Sequence, residues 1–184
     1  MPVVIGGRPD SSFSDPLGLL TDCHRRIERF LGALRRVAAR AGGVLEAEER
    51  SALEAALRYF REAAPKHTAD EEESLFPRLR ARPESAVSEL LARVETLEQD
   101  HVRAAEAHEE VDGLGRAWLE RGSLSPDESA RLKALLAELE QLYRGHIGVE
   151  DRELFPAAAQ ILTAEEQRAI GREMAERRGF TGAR

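Results

Sequence analysis

The chain has a single cysteine, Cys23, in 184 residues. That excludes an internal disulfide and a thiolate metal cage, and with them the secreted disulfide scaffold and the zinc finger. Aromatic residues make up only 5% and β-branched residues are sparse, whereas Ala, Leu, Glu and Arg dominate. Such a composition predicts helices and almost no strand. No apolar run approaches the length of a membrane span, and the stretch from Val3 to Ile5 is too short for the apolar part of a secretory signal. Basic residues do not outnumber acidic ones: 27 against 34 leaves a formal charge of -7, with no basic stripe to neutralise a phosphate backbone. The expectation is a soluble protein of the reducing cytoplasm without a nucleic-acid or membrane partner. At this length one hydrophobic core is the default.

What is present is helical periodicity. Residues 1–14 carry Gly, Pro and Ser without a period and read as an irregular arm. Asp15 followed by Pro16 predicts an N-cap and a first helix that Gly42 and Gly43 close. Its apolar positions Leu20, Ile27, Leu31 and Leu34 put His24 in the buried stripe. A second pattern runs from near Leu45 through Leu53, Leu57, Phe60, His67, Glu71 and Leu75 towards Pro77, with a kink or split at Pro65. The third opens near Pro83 and Glu84, stops at Gly122, and carries Leu90, Val94, Leu97, His101, Ala104, His108, Val111 and Trp118 on one face. Ser125 and Glu128 signal a fourth helix, with Leu132, Leu135, Leu139, Leu142, His146, Glu150 and Leu154 aligned; Thr163 and Glu166 signal a short fifth. The predicted fold is all-α. It is an antiparallel up-down-up-down four-helix bundle over residues 15–160, with a short C-terminal helix and tail over 161–184.

A repeat lies inside this pattern. His67, Glu71, Leu75, Phe76 and Pro77 recur 79 residues later as His146, Glu150, Leu154, Phe155 and Pro156, and His24 and His101 stand 77 apart, so two helical hairpins look like copies. A histidine and a glutamate four residues apart share a helix face about 6 Å apart along the axis and aim two donor atoms at one point. Buried without partners, such groups cost several kcal/mol each, so His24, His67, Glu71, His101, His146 and Glu150 facing one core call for a cation. Four imidazoles and two carboxylates with no thiolate suit iron or manganese and also accept zinc. Two ions fit when Glu71 and Glu150 bridge them, with His24 and His67 completing one and His101 and His146 the other.

One histidine per helix, with two His-x-x-x-Glu motifs each followed by Leu-Phe-Pro, resembles the hemerythrin-like family of HHE cation-binding domains over about residues 15 to 160. The resemblance implies a non-haem di-iron centre, oxo- or carboxylate-bridged, held in a four-helix bundle by the same six residues. Oxygen-carrying hemerythrins have a further histidine where this chain has Ala105, and their last carboxylate is an aspartate at the position of Asp151, beside Glu150. A site with one imidazole fewer is more open. That implies reaction with, or sensing of, O2, peroxide or NO, or iron storage, rather than reversible oxygen carriage. The other classes that fit the residues are a metal-free helical interaction module and a di-zinc or di-manganese hydrolase.

The remaining polar residues receive blander readings. His108 lies about 10 Å along the helix from His101, too far to share an ion, and reads as a core or entrance histidine. Tyr143 and Tyr59 read as core residues within possible reach of the metal, Trp118 as core and Cys23 as an unreactive thiol. Glu72 and Asp151 match under the repeat and flank the two bridging glutamates as candidates for a supporting role.

Overall fold

The computed structural model describes residues 11–40 and 43–180, apart from the side chains of 84–86. It is all-helical, with no β-strand among the described residues. The helices are α1 (Pro16–Ala39), α2 (Ala47–Glu62), α3 (Ala64–Ala69), α4 (Phe76–Arg80), α5 (Glu84–Arg121), α6 (Pro126–Val149), α7 (Phe155–Ile161) and α8 (Ala164–Arg177). Two wider, π-helical turns, Asp70–Leu75 and Glu150–Leu154, connect α3 to α4 and α6 to α7. No described helix is long and apolar enough to cross a membrane.

The sequence signals for helix ends act where expected. The Asp15 carboxylate accepts the Gly18 N–H at 3.1 Å, the Ser125 hydroxyl accepts that of Glu128 at 3.2 Å, and the Thr163 hydroxyl accepts that of Glu166 at 3.2 Å. Each satisfies an N–H that has no partner inside its helix, a contribution of about 1 kcal/mol. Gly122 ends α5 at φ 78°, a backbone region that side chains disfavour. Other ends differ from the periodicity. The first helix stops at Ala39 with Arg40 as its cap, ahead of the glycines, and Gly42 lies outside the described residues, as do residues 1–10 of the expected arm. The second pattern opens at Ala47 rather than Leu45, breaks at Ala63 beside Pro65, and continues past Pro77 to Arg80.

Both π turns directly precede a Phe-Pro pair. Proline lacks an N–H and its ring crowds the carbonyl four residues back, so the turn before it gains by widening. The repeated Leu-Phe-Pro thus has a backbone consequence as well as a packing one.

Packing closes a ring, in which α1 lies against α2 and α6, and α5 lies against the same two. Two apolar clusters fill the interior. One contains Ile27, Leu34, Leu57, Phe60, Trp118 and Leu135; the other contains Leu20, Leu75, Phe76, Leu97, Leu154 and Ile170. His24 falls between Leu20 and Ile27, and His101 between Leu97 and Ala104, so the polar layer is sandwiched between two apolar blocks.

Helix α8 packs on α1 and on the first π turn. Its Gly171 runs so close to the Phe13 backbone that a methyl group there would collide with the Phe13 carbonyl oxygen. Gly171→Ala is therefore expected to push α8 away and cost about 1–3 kcal/mol, an overpacking penalty that exceeds the helix-propensity gain of alanine. Thermal unfolding checks it: a variant as stable as the parent would show that the N-terminal segment yields freely.

Candidate metal centre

The six residues singled out by the repeat come from α1 (His24), α3 (His67), α5 (His101), α6 (His146) and the two π turns (Glu71, Glu150), and the fold brings all six together. They form two groups whose donor atoms all lie within 4.8 Å of one another: His24, His67, Glu71 and Glu150, and Glu71, His101, His146 and Glu150. The two carboxylates belong to both. Exposure is nil for Glu71 and Glu150, and His24, His67 and His146 are buried, with His101 at the margin.

All four imidazoles turn the same nitrogen inward. His67 Nε2 is 3.3 Å from Glu71 Oε1, His101 Nε2 is 3.2 Å from Glu71 Oε2, and His146 Nε2 is 3.1 Å from Glu150 Oε2. His24 Nε2 is 3.0 Å from Glu150 Oε2 and 3.9 Å from Glu71 Oε1. Despite these separations, His24 Nε2, His101 Nε2 and all four carboxylate oxygens have no partner in hydrogen-bonding geometry. Buried polar atoms left this way cost about 1–3 kcal/mol each, and six of them converging on a small volume is the pattern a cation resolves. The residues present fit a metal.

The outward nitrogens show a crossed arrangement. His24 Nδ1 is hydrogen-bonded to Asp151 Oδ1 at 2.9 Å, and His101 Nδ1 to Glu72 Oε1 at 2.8 Å. Phe155 stacks on His24 and Phe76 on His101. Each hairpin thus supplies a carboxylate and a phenyl ring that orient the histidine of the other. A carboxylate on Nδ1 selects the tautomer whose Nε2 lone pair faces inward. On a helix, residues next to one another point about 100° apart, which obscured these roles in the sequence. From the first π turn Glu71 faces Nε2 of His24, His67 and His101 while Glu72 bonds Nδ1 of His101, and from the second Glu150 faces Nε2 of His24 and His146 while Asp151 bonds Nδ1 of His24.

Electrostatics reflect the crowding. Burial, reinforced by the Glu150 charge, pushes the Glu71 carboxyl well above the usual carboxylate range. Burial acts on Glu150 too, but His146 and His24 outweigh it and hold that carboxyl below its ordinary value. For His24, burial opposes protonation, yet Asp151, Glu150 and Glu71 together raise it to about 10. His67 moves the opposite way, driven far down by burial and by the neighbouring His24.

His108 stacks on Phe60 with ring centres 4.0 Å apart, and its Nε2 lies 2.9 Å from the Tyr143 hydroxyl. Neither belongs to the two donor groups. Tyr59 stacks on Phe30 at 4.3 Å, and burial raises its hydroxyl pKa. Trp118 is core, and Cys23 is a buried free thiol whose pKa burial raises. Sequence reasoning missed Asp70. It is wholly buried next to Glu71 and bonded to Arg177, the last residue of α8, and to Arg178, its C-cap, and position 149 in the repeat is a valine, so the duplication gave no hint of it.

Fold and site together define an all-helical protein with a buried His/Glu cluster able to hold metal. A match to the Hemerythrin HHE cation binding domain spans residues 15–158, and the chain belongs to that family. No curated protein matches it.

Proposed function

We propose that the chain is a non-haem di-iron protein whose centre reacts with or senses O2, peroxide or NO. In this reading residues 15–160 form an antiparallel up-down-up-down four-helix bundle, and residues 161–184 form a C-terminal helix and tail. The ring of contacts among α1, α2, α5 and α6 and the short connection between α5 and α6 support the bundle. The observation that supports the metal reading is the sharing of two buried carboxylates by two four-residue groups, each with two histidines. Single-ion cages have no use for such sharing, whereas bridging carboxylates hold paired cations about 3.5–4 Å apart. Iron is favoured by imidazole and carboxylate donors without thiolate, and manganese and zinc accept the same set.

When bound, paired iron supplies redox and small-ligand chemistry. The chain's residues set its conditions. His24, His67, His101 and His146 would each give one nitrogen, and Glu71 and Glu150 two oxygens each, leaving positions open for a small ligand. Asp151 and Glu72 orient two of the histidines, and the apolar blocks on either side limit water. Ala105 places no imidazole beside His101.

Anaerobic loading with ferrous iron, followed by O2, peroxide or NO under optical observation, tests the reading. Two irons per chain and a spectral change with at least one of these ligands are expected. A chain that stays folded, colourless and without iron would overturn it in favour of an interaction module, and activity restored by zinc alone would favour a hydrolase.

The crossed carboxylates give a separate expectation. Asp151→Asn and Glu72→Gln should each weaken iron binding about 10–100-fold while leaving all six donors in place. Competition with a chelator measures the change, and unaltered affinity in both variants would remove the orienting role.

A further inference from the structure

Two titratable side chains beside the His/Glu cluster have no part in holding metal, yet they share a cavity with it. His24, His67, His101 and His146 line that cavity, and so do His108 and Tyr143. Tyr143 stands three residues before His146 on α6, about 4.5 Å along the helix axis. His108 approaches from α5, and its Nε2 meets the Tyr143 hydroxyl at 2.9 Å.

The direction of this hydrogen bond follows from the partners available. Burial lowers the pKa of His108 to about 4, so the ring is neutral and carries a single N–H. Its Nδ1 is buried without a partner, and the Tyr143 hydroxyl has no second partner among the described residues. Were Nε2 the donor, the tyrosine O–H and the Nδ1 lone pair would both be left unpaired. With the hydroxyl donating, only the Nδ1 N–H is. The phenol proton therefore points at a neutral base. Burial, aided by Tyr59 and Glu71, raises the Tyr143 hydroxyl above its ordinary value, so at neutral pH the phenol keeps its proton until it loses an electron. An oxidised phenol is a far stronger acid than imidazolium, and the acceptor for its proton is already in place. The other oxidisable rings lack this arrangement. Tyr59 stacks on Phe30 and bonds to no imidazole among the described residues, and Trp118 stands 17 residues beyond His101, about 25 Å along α5.

We propose that Tyr143 and His108 form a redox site that supplies one electron when hydrogen peroxide is reduced at the metal centre. Peroxide takes up two electrons and two solvent protons and becomes two waters. One electron comes from Tyr143 and the other from a ferrous ion, which becomes ferric. The tyrosine O–H bond breaks, its proton forms a bond to His108 Nε2, and a neutral tyrosyl radical is left facing an imidazolium. The proposal rests on the di-iron reading for the centre at which peroxide is reduced.

Hydrogen peroxide added to the ferrous-loaded full chain, followed by rapid freezing and by paramagnetic resonance and iron analysis of the same samples, tests it. A tyrosyl signal is expected, narrowed when the chain carries ring-deuterated tyrosine. It should be lost in Tyr143→Phe and kept in Tyr59→Phe. His108→Phe retains a ring against Phe60 but no base, and should slow the appearance of the signal at least about 100-fold. His108→Gln can accept the hydrogen bond but cannot take the proton, and should not restore the rate. Two irons per chain with no radical, a signal that survives Tyr143→Phe, or one that forms as fast in His108→Phe as in the parent would overturn the proposal and leave the di-iron reading standing. A chain that takes up no iron overturns both, and the iron analysis tells the two failures apart.

Discussion

Glu150→Ala is expected to empty both metal positions, whereas His67→Ala is expected to empty one. Glu150 belongs to both donor groups and His67 to only one of them. Iron analysis after anaerobic loading and desalting should fall from two per chain to near none in the first variant and to about one in the second. Stability separates this from general damage. A metal that binds only the folded chain stabilises it by about 2.7 kcal/mol when free metal exceeds its dissociation constant 100-fold. The parent should therefore melt higher with iron, and Glu150→Ala at the same temperature with or without it. In the metal-free chain the substitution has opposing effects. His24 and His146 lose an anionic neighbour, while Glu71 is relieved of the charge that helps hold its carboxyl protonated. A Glu150→Ala protein that still retained one iron would show that the two groups do not share this carboxylate.

The elements most legible in the sequence were those written in short-range chemistry. Asp15 with Pro16, Ser125 with Glu128, Thr163 with Glu166, and Gly122 each act through atoms within a few residues, and the helix ends fall there. The six inward residues were legible because duplication repeats both their spacing and their apolar phase, and the fold brings them together. Two things were hidden. The π turns differ from α-helix by one residue per turn over five or six residues, too short a stretch to change a hydrophobic period; only the following Phe-Pro hints at them. Contacts between different hairpins, such as Asp151 with His24, depend on how helices lie against one another, which no local pattern encodes. Glu72 and Asp151 were visible as a matched pair, but not as partners of His101 and His24.

Asp70→Ala is expected to be strongly destabilising although Asp70 lies outside the six inward residues. The Asp70 carboxylate is fully buried and accepts from Arg177 Nη1 at 3.0 Å and from Arg178 Nη1 and Nη2 at 3.1 and 2.6 Å. Removing one member of a buried ion pair strands its partners, at about 3–5 kcal/mol. Here the stranded groups are two guanidiniums, each only about one-fifth exposed. Arg177 keeps Ser74 and Glu73 as further acceptors, which softens its loss; Arg178 retains the Met174 carbonyl. The expected loss is thus nearer 3 than 5 kcal/mol. A cycle adding Arg178→Met should recover part of it, because the desolvated charge goes with its partner. The consequence reaches the metal. Asp70 and Glu71 share one π turn, and α8 lies beyond residue 158, where the family match ends. Loosening α8 frees the turn that holds Glu71, so iron affinity should fall although no donor has been touched. Urea unfolding of the metal-free protein and chelator competition of the loaded one measure the two effects separately. If Asp70→Ala unfolds within about 0.5 kcal/mol of the parent, as a neutral surface change would, the two arginines find other partners and α8 has no hold on the site.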